Sequence, residues 1–151
     1  TPGVEPVLHA IRTLPGYHYV VLLQPTSPLR TVADIDGCIE LCARSRANSC
    51  VSVCEPDKSP FWMFTIDADG MMHKLLEMDF ASRRQDLPEV FVLNGAVYVA
   101  PSAVLLEHGT FLAHKTISYV MSKENSVDID TELDIVLAEA LIGKMRSGSA
   151  E

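Results

Sequence analysis

The stretch Ser126-Val127-Asp128-Ile129-Asp130-Thr131-Glu132-Leu133-Asp134 sets two carboxylates two residues apart. If Val127 and Ile129 face a core, the period-two alternation of an extended chain puts Asp128 and Asp130 on one face. Adjacent carboxylates repel, and a hard divalent cation relieves the repulsion. Magnesium takes one or two carboxylates and completes its shell with water and substrate phosphates. The same residues also suit a helix start, with Asp130 as N-cap and Glu132 favourable near the helix N-terminus. The two roles are compatible. A second polar group, Gln24-Pro25-Thr26-Ser27-Pro28-Leu29-Arg30, ends the apolar run Val20 to Leu23 on an amide, two hydroxyls and a guanidinium. Pro25 and Pro28 lack the N–H that a strand ladder needs, so they fix where the strand stops and stiffen the turn beyond it. Ligands of open α/β sheets bind outside the carboxyl ends of strands. The stretch equally suits a rigid strand-to-helix turn in which Thr31 or Asp34 caps the next helix.

Other chemistry-bearing residues are sparse. Arg83 and Arg84, with Gln85 beside them, are adjacent guanidinium forks of the kind that hold carboxylates and phosphates. Asn94-Gly95 suits a turn or a strand-edge position, with Tyr98 further along. Cys38, Cys42, Cys50 and Cys54 form CxxxC-x7-CxxxC, looser than usual zinc pairs, and their apolar neighbours suit small buried thiols in a reducing compartment. Asp67-Ala68-Asp69-Gly70 lacks the further ligands of a calcium loop and suits a hairpin turn. There is no GxGxxG or Walker-type phosphate loop and no serine in a glycine-flanked elbow.

The elements that must position these groups alternate. Residues 4–14 and 33–47 carry apolar residues at helical spacing, and Tyr19 to Leu23, apolar throughout, predicts a central parallel strand. Ser49 to Cys54 and Ala96 to Ala100 predict further strands, the latter behind an Asn94-Gly95 break. Residues 101–107 predict a short helix, and Asp130 to Met145 an amphipathic one carrying Leu133, Val136, Leu137, Ala140 and Leu141. This alternation predicts a layered α/β sheet in a single domain, which 151 residues suffice to build. Between the strands, Phe61-Trp62-Met63-Phe64 and Met71-Met72 form an aromatic and methionine-rich hairpin suited to a partner surface. A net charge of −8 argues against a general grip on nucleic acid. No apolar run approaches a membrane span, and the N-terminus has no secretory pattern.

Taken in order, LLQPTSPLR, RRQDLPEVFVLNGAVYVA and SVDIDTELD make the chain resemble the CMP-sialic acid synthetases, or acylneuraminate cytidylyltransferases, and their relatives acting on legionaminic and pseudaminic acids. The intact LLQPTSPLR looks more like bacterial members. The resemblance implies a Rossmann-like nucleotidyltransferase sheet with helices on both faces and a small hairpin dimerisation insertion around 58–80. It implies a cytoplasmic homodimer that transfers CMP from CTP to a nine-carbon 2-keto sugar acid with Mg2+. Gln24, Arg84, Gln85, Asn94 and Tyr98 would bind substrate, and Asp128 and Asp130 would hold the metal; Arg84 and both aspartates would act in catalysis. The family's basic, glycine-containing phosphate loop has no counterpart here. The resemblance therefore implies that Thr1 lies well inside the family's sequence. A catalytically silent sugar-side and dimerisation module, or a related nucleotidyltransferase, is the alternative.

Overall fold

A computed structural model describes residues 3–76 and 88–148. They form two compact units, residues 3–54 with 93–148, and residues 55–76 with 88–92. In chain order the elements are α1 (Glu5–Thr13), β1 (Tyr19–Leu22), α2 (Val32–Ser45), β2 (Ser49–Cys54), β3 (Phe64–Ile66), β4 (Met72–Lys74), β5 (Val92–Pro101), α3 (Ser102–His108), β6 (Thr116–Val120) and α4 (Glu132–Gly148).

The larger unit is built on a four-stranded sheet ordered β1-β5-β2-β6. β2 and β6 are parallel, from Ser49 opposite Thr116 to Val53 opposite Val120. β1 is antiparallel to β5, from Tyr19 opposite Pro101 to Leu22 opposite Tyr98, and lies at the edge of the sheet among the described residues. The expectation of a central parallel strand is thus corrected. A continuous apolar run reports that both faces are covered and says nothing of the direction of its neighbour. Both faces are indeed covered: Val20 and Leu22 pack with α1, α3 and Phe111, while Val21 packs with α2.

Alternation carries the same logic through the other strands. On one face, Val51, Val53 and Ala100 join Leu8 of α1 and Leu105 of α3. On the other, Cys50, Val97 and Val99 join Cys38 and Cys42 of α2. Cys38, Cys42 and Cys50 are buried and Cys54 is partly so, all four as free thiols. The Cys38 and Cys50 sulfurs lie 3.4 Å apart. Burial pushes the Cys42 thiol up to about 11, with the Cys50 charge adding to it.

β5 runs unbroken through Asn94-Gly95, where the sequence predicts an interruption. The two-residue turn favoured by Asn-Gly needs positive φ at both positions. Here Gly95 has φ +72° while Asn94 does not, so the strand is re-aimed at one residue and continues. β6 is not among the expected strands, although Ile117 and Tyr119 alternate onto the α2 side. α2 starts on a capping box in which Asp34 N–H donates to the Thr31 hydroxyl and Thr31 N–H to the Asp34 carboxylate. α4 starts at Glu132, and its cap is Thr131 with Asp134 rather than Asp130. Thr131 N–H and hydroxyl donate to the Asp134 carboxylate at 2.7 and 2.8 Å. Within α4 only Ala138 is fully buried among the described residues, while Leu133, Val136 and Leu137 are exposed.

In the smaller unit, β3 and β4 pair antiparallel from Phe64 opposite Lys74 to Ile66 opposite Met72. Asp67 closes the turn, as expected for Asp-Ala-Asp-Gly: one carboxylate oxygen accepts from Asp69 and Met71 N–H, and the other meets His73 Nε2 at 2.7 Å. Trp62, Met63, Phe64, Ile66, Met71 and Met72 are all exposed.

Candidate functional site

The site grows from the turn that ends β1. Pro25 and Thr26 are exposed, whereas Ser27 and Leu29 are buried and anchor the turn in the core. Ile129 N–H donates to the Thr26 carbonyl at 2.8 Å, bringing the irregular segment 127–130 against this turn. Asp128 therefore lies on a tethered loop, not on the strand that alternation suggests. The Ser27 hydroxyl lies 3.5 Å from Asp128 Oδ1 and 3.4 Å from the Asn94 carbonyl.

Asn94 lies beneath them and is buried. Its Oδ1 accepts from the Ser52 hydroxyl at 2.6 Å and from Ala96 N–H at 3.2 Å, and its Nδ2 donates to the Ser126 hydroxyl at 2.9 Å. Ser52 Oγ in turn accepts from Val97 N–H at 2.7 Å. Unpaired buried amides are costly, and this one is satisfied wholly inside the protein. Asn94 thus ties β2, β5 and the segment before Asp128 together.

Gly95 marks the centre. A Cβ there would stand 2.6 Å from Gln24 Oε1, 3.5 Å from Ser27 Oγ and 3.6 Å from Asp128 Oδ2. The Gln24 amide, the Ser27 hydroxyl and the Asp128 carboxylate therefore converge over a bare Cα. Gln24 and Tyr98 line one cavity of about 240 Å³ with Leu22, Leu93, Thr110 and Phe111. The Tyr98 ring is tilted against Phe111 with centroids 5.6 Å apart. Burial, and then the charge of Asp128, raises the Tyr98 phenol above its ordinary value, so it stays a proton donor at neutral pH.

Of the residues expected from sequence, the structure brings Gln24, Asn94, Tyr98 and Asp128 together. Asp130 is exposed, its N–H donating to Asp134 at 3.2 Å. Arg84 and Gln85 lie outside the described residues. Ser27 is one of the two hydroxyls that the sequence sets after β1, but sequence reasoning does not single out Ser52 and Ser126, since serines at this spacing carry no signal of their own. A half-buried carboxylate beside a hydroxyl offers hard oxygen donors of the kind a divalent cation accepts. Among the described residues no three His, Cys, Asp or Glu side chains gather to hold a metal. An ion here would therefore draw the rest of its shell from water or phosphate oxygens.

No protein-family model matches the chain. It is 34% identical over 116 residues to the N-acylneuraminate cytidylyltransferase of Streptococcus agalactiae serotype V, covering 77% of this chain and 28% of that protein. It is 33% identical over 125 residues to the CMP-N,N'-diacetyllegionaminic acid synthase of Legionella pneumophila, covering 82% of this chain and 53% of that protein. The chain thus spans about half or less of the length of these relatives. The crystal structure of a 4-diphosphocytidyl-2C-methyl-D-erythritol synthase from Anaerococcus prevotii superposes with a TM-score of 0.61 at 12% identity, over 95% of this chain and 67% of that one. That likeness bears on the fold alone, a layered Rossmann-like α/β sheet. With sequence similarity over most of its length and the fold in agreement, the chain is similar to the acylneuraminate cytidylyltransferases and the CMP-legionaminic acid synthases.

Proposed function

We propose that the protein carrying this chain is a cytidylyltransferase that activates a nonulosonic acid with CTP. The sugar's anomeric hydroxyl oxygen bonds to the α-phosphorus and gives up its proton to water, the bond from that phosphorus to the oxygen bridging the β-phosphate breaks, and pyrophosphate leaves with the electron pair. Such transfer depends on positioning and on neutralising charge rather than on covalent catalysis. The single observation that carries the proposal is the convergence of Gln24 and Asp128 over Gly95, beside the Tyr98 cavity. Gln24 offers a donor and an acceptor to the sugar acid, Tyr98 a protonated phenol, and Asn94 braces the strand beneath them. Arg84 and Gln85 are proposed as further substrate contacts. Asp128 and Asp130 are proposed to hold Mg2+, which would neutralise triphosphate charge and lower the pKa of the attacking hydroxyl. The exposed hairpin of residues 60–75 is proposed as a homodimer surface.

The test is pyrophosphate release by the purified protein, of a length comparable to its relatives, with CTP, Mg2+ and a panel of sialic, legionaminic and pseudaminic acids. Release dependent on one of these acids is expected. Turnover with none of them, by a folded protein, overturns the proposal.

A further inference from the structure

We propose that Arg30 is the positioning residue of the Gln24 amide, holding it over Gly95 by clamping two backbone segments together. One guanidinium nitrogen, Arg30 Nη1, donates to the Gln24 carbonyl at 2.6 Å, the Ser27 carbonyl at 2.8 Å and the Ala96 carbonyl at 3.3 Å. That nitrogen carries two hydrogens, so three acceptors share them. The first two carbonyls belong to the turn after β1, and the third lies on β5 immediately after Gly95. Arg30 thus sets the gap between Gln24 and the bare Cα over which its Oε1 sits.

The turn needs such an outside donor. Pro25 and Pro28 contribute no N–H, and the turn's own closing bond, Ser27 N–H to the Gln24 carbonyl, is long at 3.4 Å. A half-buried cation ordinarily pairs with a carboxylate, yet no ion pair of Arg30 is found among the described residues. Its charge is met by carbonyl dipoles instead, and charge-assisted bonds of this kind are the stronger ones. Arg30 touches no reacting atom in this arrangement; it acts through Gln24.

The experiment uses Arg30→Met and Arg30→Lys in the full-length protein, and only its kinetic arm rests on the proposed function. Misplacing the amide should raise the KM for the sugar acid by about tenfold or more in Arg30→Met, with the KM for CTP unchanged; the ammonium of Arg30→Lys should give an intermediate rise. Independently, with selective 15N-glutamine labelling, the Gln24 side-chain amide signal, assigned by its loss in Gln24→Ala, should shift or broaden in Arg30→Met and less so in Arg30→Lys. An equal rise in both KM values, or a Gln24 signal unmoved by Arg30→Met, overturns the inference. If Arg30→Met does not fold, Arg30→Lys decides alone, and an unmoved sugar KM with an unmoved signal overturns it. If the wild-type protein makes no CMP-sugar, the proposed function fails, and the Gln24 signal by itself sustains or overturns the role of Arg30.

Discussion

At the residue scale, the two aspartates part company. Asp128 is half-buried against Ser27 and Gly95, whereas Asp130 is exposed, and Asp134 with Thr131 does the capping. In the full-length protein Asp128→Asn keeps the shape and removes the charge. It should leave the unfolding midpoint nearly unchanged and lower kcat by on the order of 10²–10³, the usual scale for lost charge stabilisation at such a centre. Asp130→Asn should leave stability unchanged, so any loss in its steady-state rate reports on metal or phosphate rather than on the helix cap. Near-normal turnover of both variants at low Mg2+ would make the aspartates structural. Gly95→Ala meets two obstacles, a φ of +72° and the Gln24 amide 2.6 Å from the new methyl. The left-handed backbone alone costs about 1–2 kcal/mol. Urea unfolding should show that loss, and the KM for the sugar acid should rise as Gln24 is displaced.

At the element scale, α2 approaches β6 through Gly37, where a Cβ would lie 2.6 Å from Tyr119 Cε2. Alanine improves helix propensity by about 1 kcal/mol, but overpacking costs about 1–3 kcal/mol. Gly37→Ala should therefore destabilise on balance, and adding Tyr119→Val should recover part of the loss in a double-mutant cycle. The start of α4 carries a pH dependence. Hydrogen bonds from the Thr131 hydroxyl and N–H hold the Asp134 carboxyl below its usual range. A depressed folded value means that the contribution is present above the unfolded pKa of about 3.9 and is lost as pH falls through the folded one. The protection factors of amides in the first turn of α4, referred to the intrinsic exchange rate at each pH, should fall on acidification through that window, and Asp134→Ala should remove the dependence. Unchanged protection in the wild type would contradict the assignment of this cap.

At the scale of the whole molecule, the hairpin should join two copies. Trp62, Ile66, Met71 and Met72 are exposed in an acidic protein of net charge −8, and exposed apolar surface of this density usually meets a partner. Sedimentation of the full-length protein should show a dimer that Ile66→Lys with Met72→Lys dissociates; a monomer at high concentration would count against it. The 151-residue chain alone should release no pyrophosphate, since it holds no glycine-rich phosphate loop. Among the described residues no helix is long and apolar enough to cross a membrane. Much of this molecule is legible in its sequence. Apolar periodicity locates α1, α2, β2 and α4, because burial of a helix stripe or of a strand face is a local property of side-chain order. The prolines fix where β1 stops, because a missing N–H needs no context. Periodicity also shows that a surface must be covered without showing by what. β1 therefore passes for a central parallel strand, and the Leu133-Val136-Leu137 stripe of α4 does not disclose that it lies exposed here. The site itself belongs to the tertiary structure. Gln24, Gly95 and Asp128 come from three distant segments, and the Ile129–Thr26 bond, the Ser27 hydroxyl, the Arg30 clamp and the fully paired Asn94 set how closely they meet. Long-range hydrogen bonds of that kind leave no spacing in a sequence, so the residue types are visible there and their convergence is not.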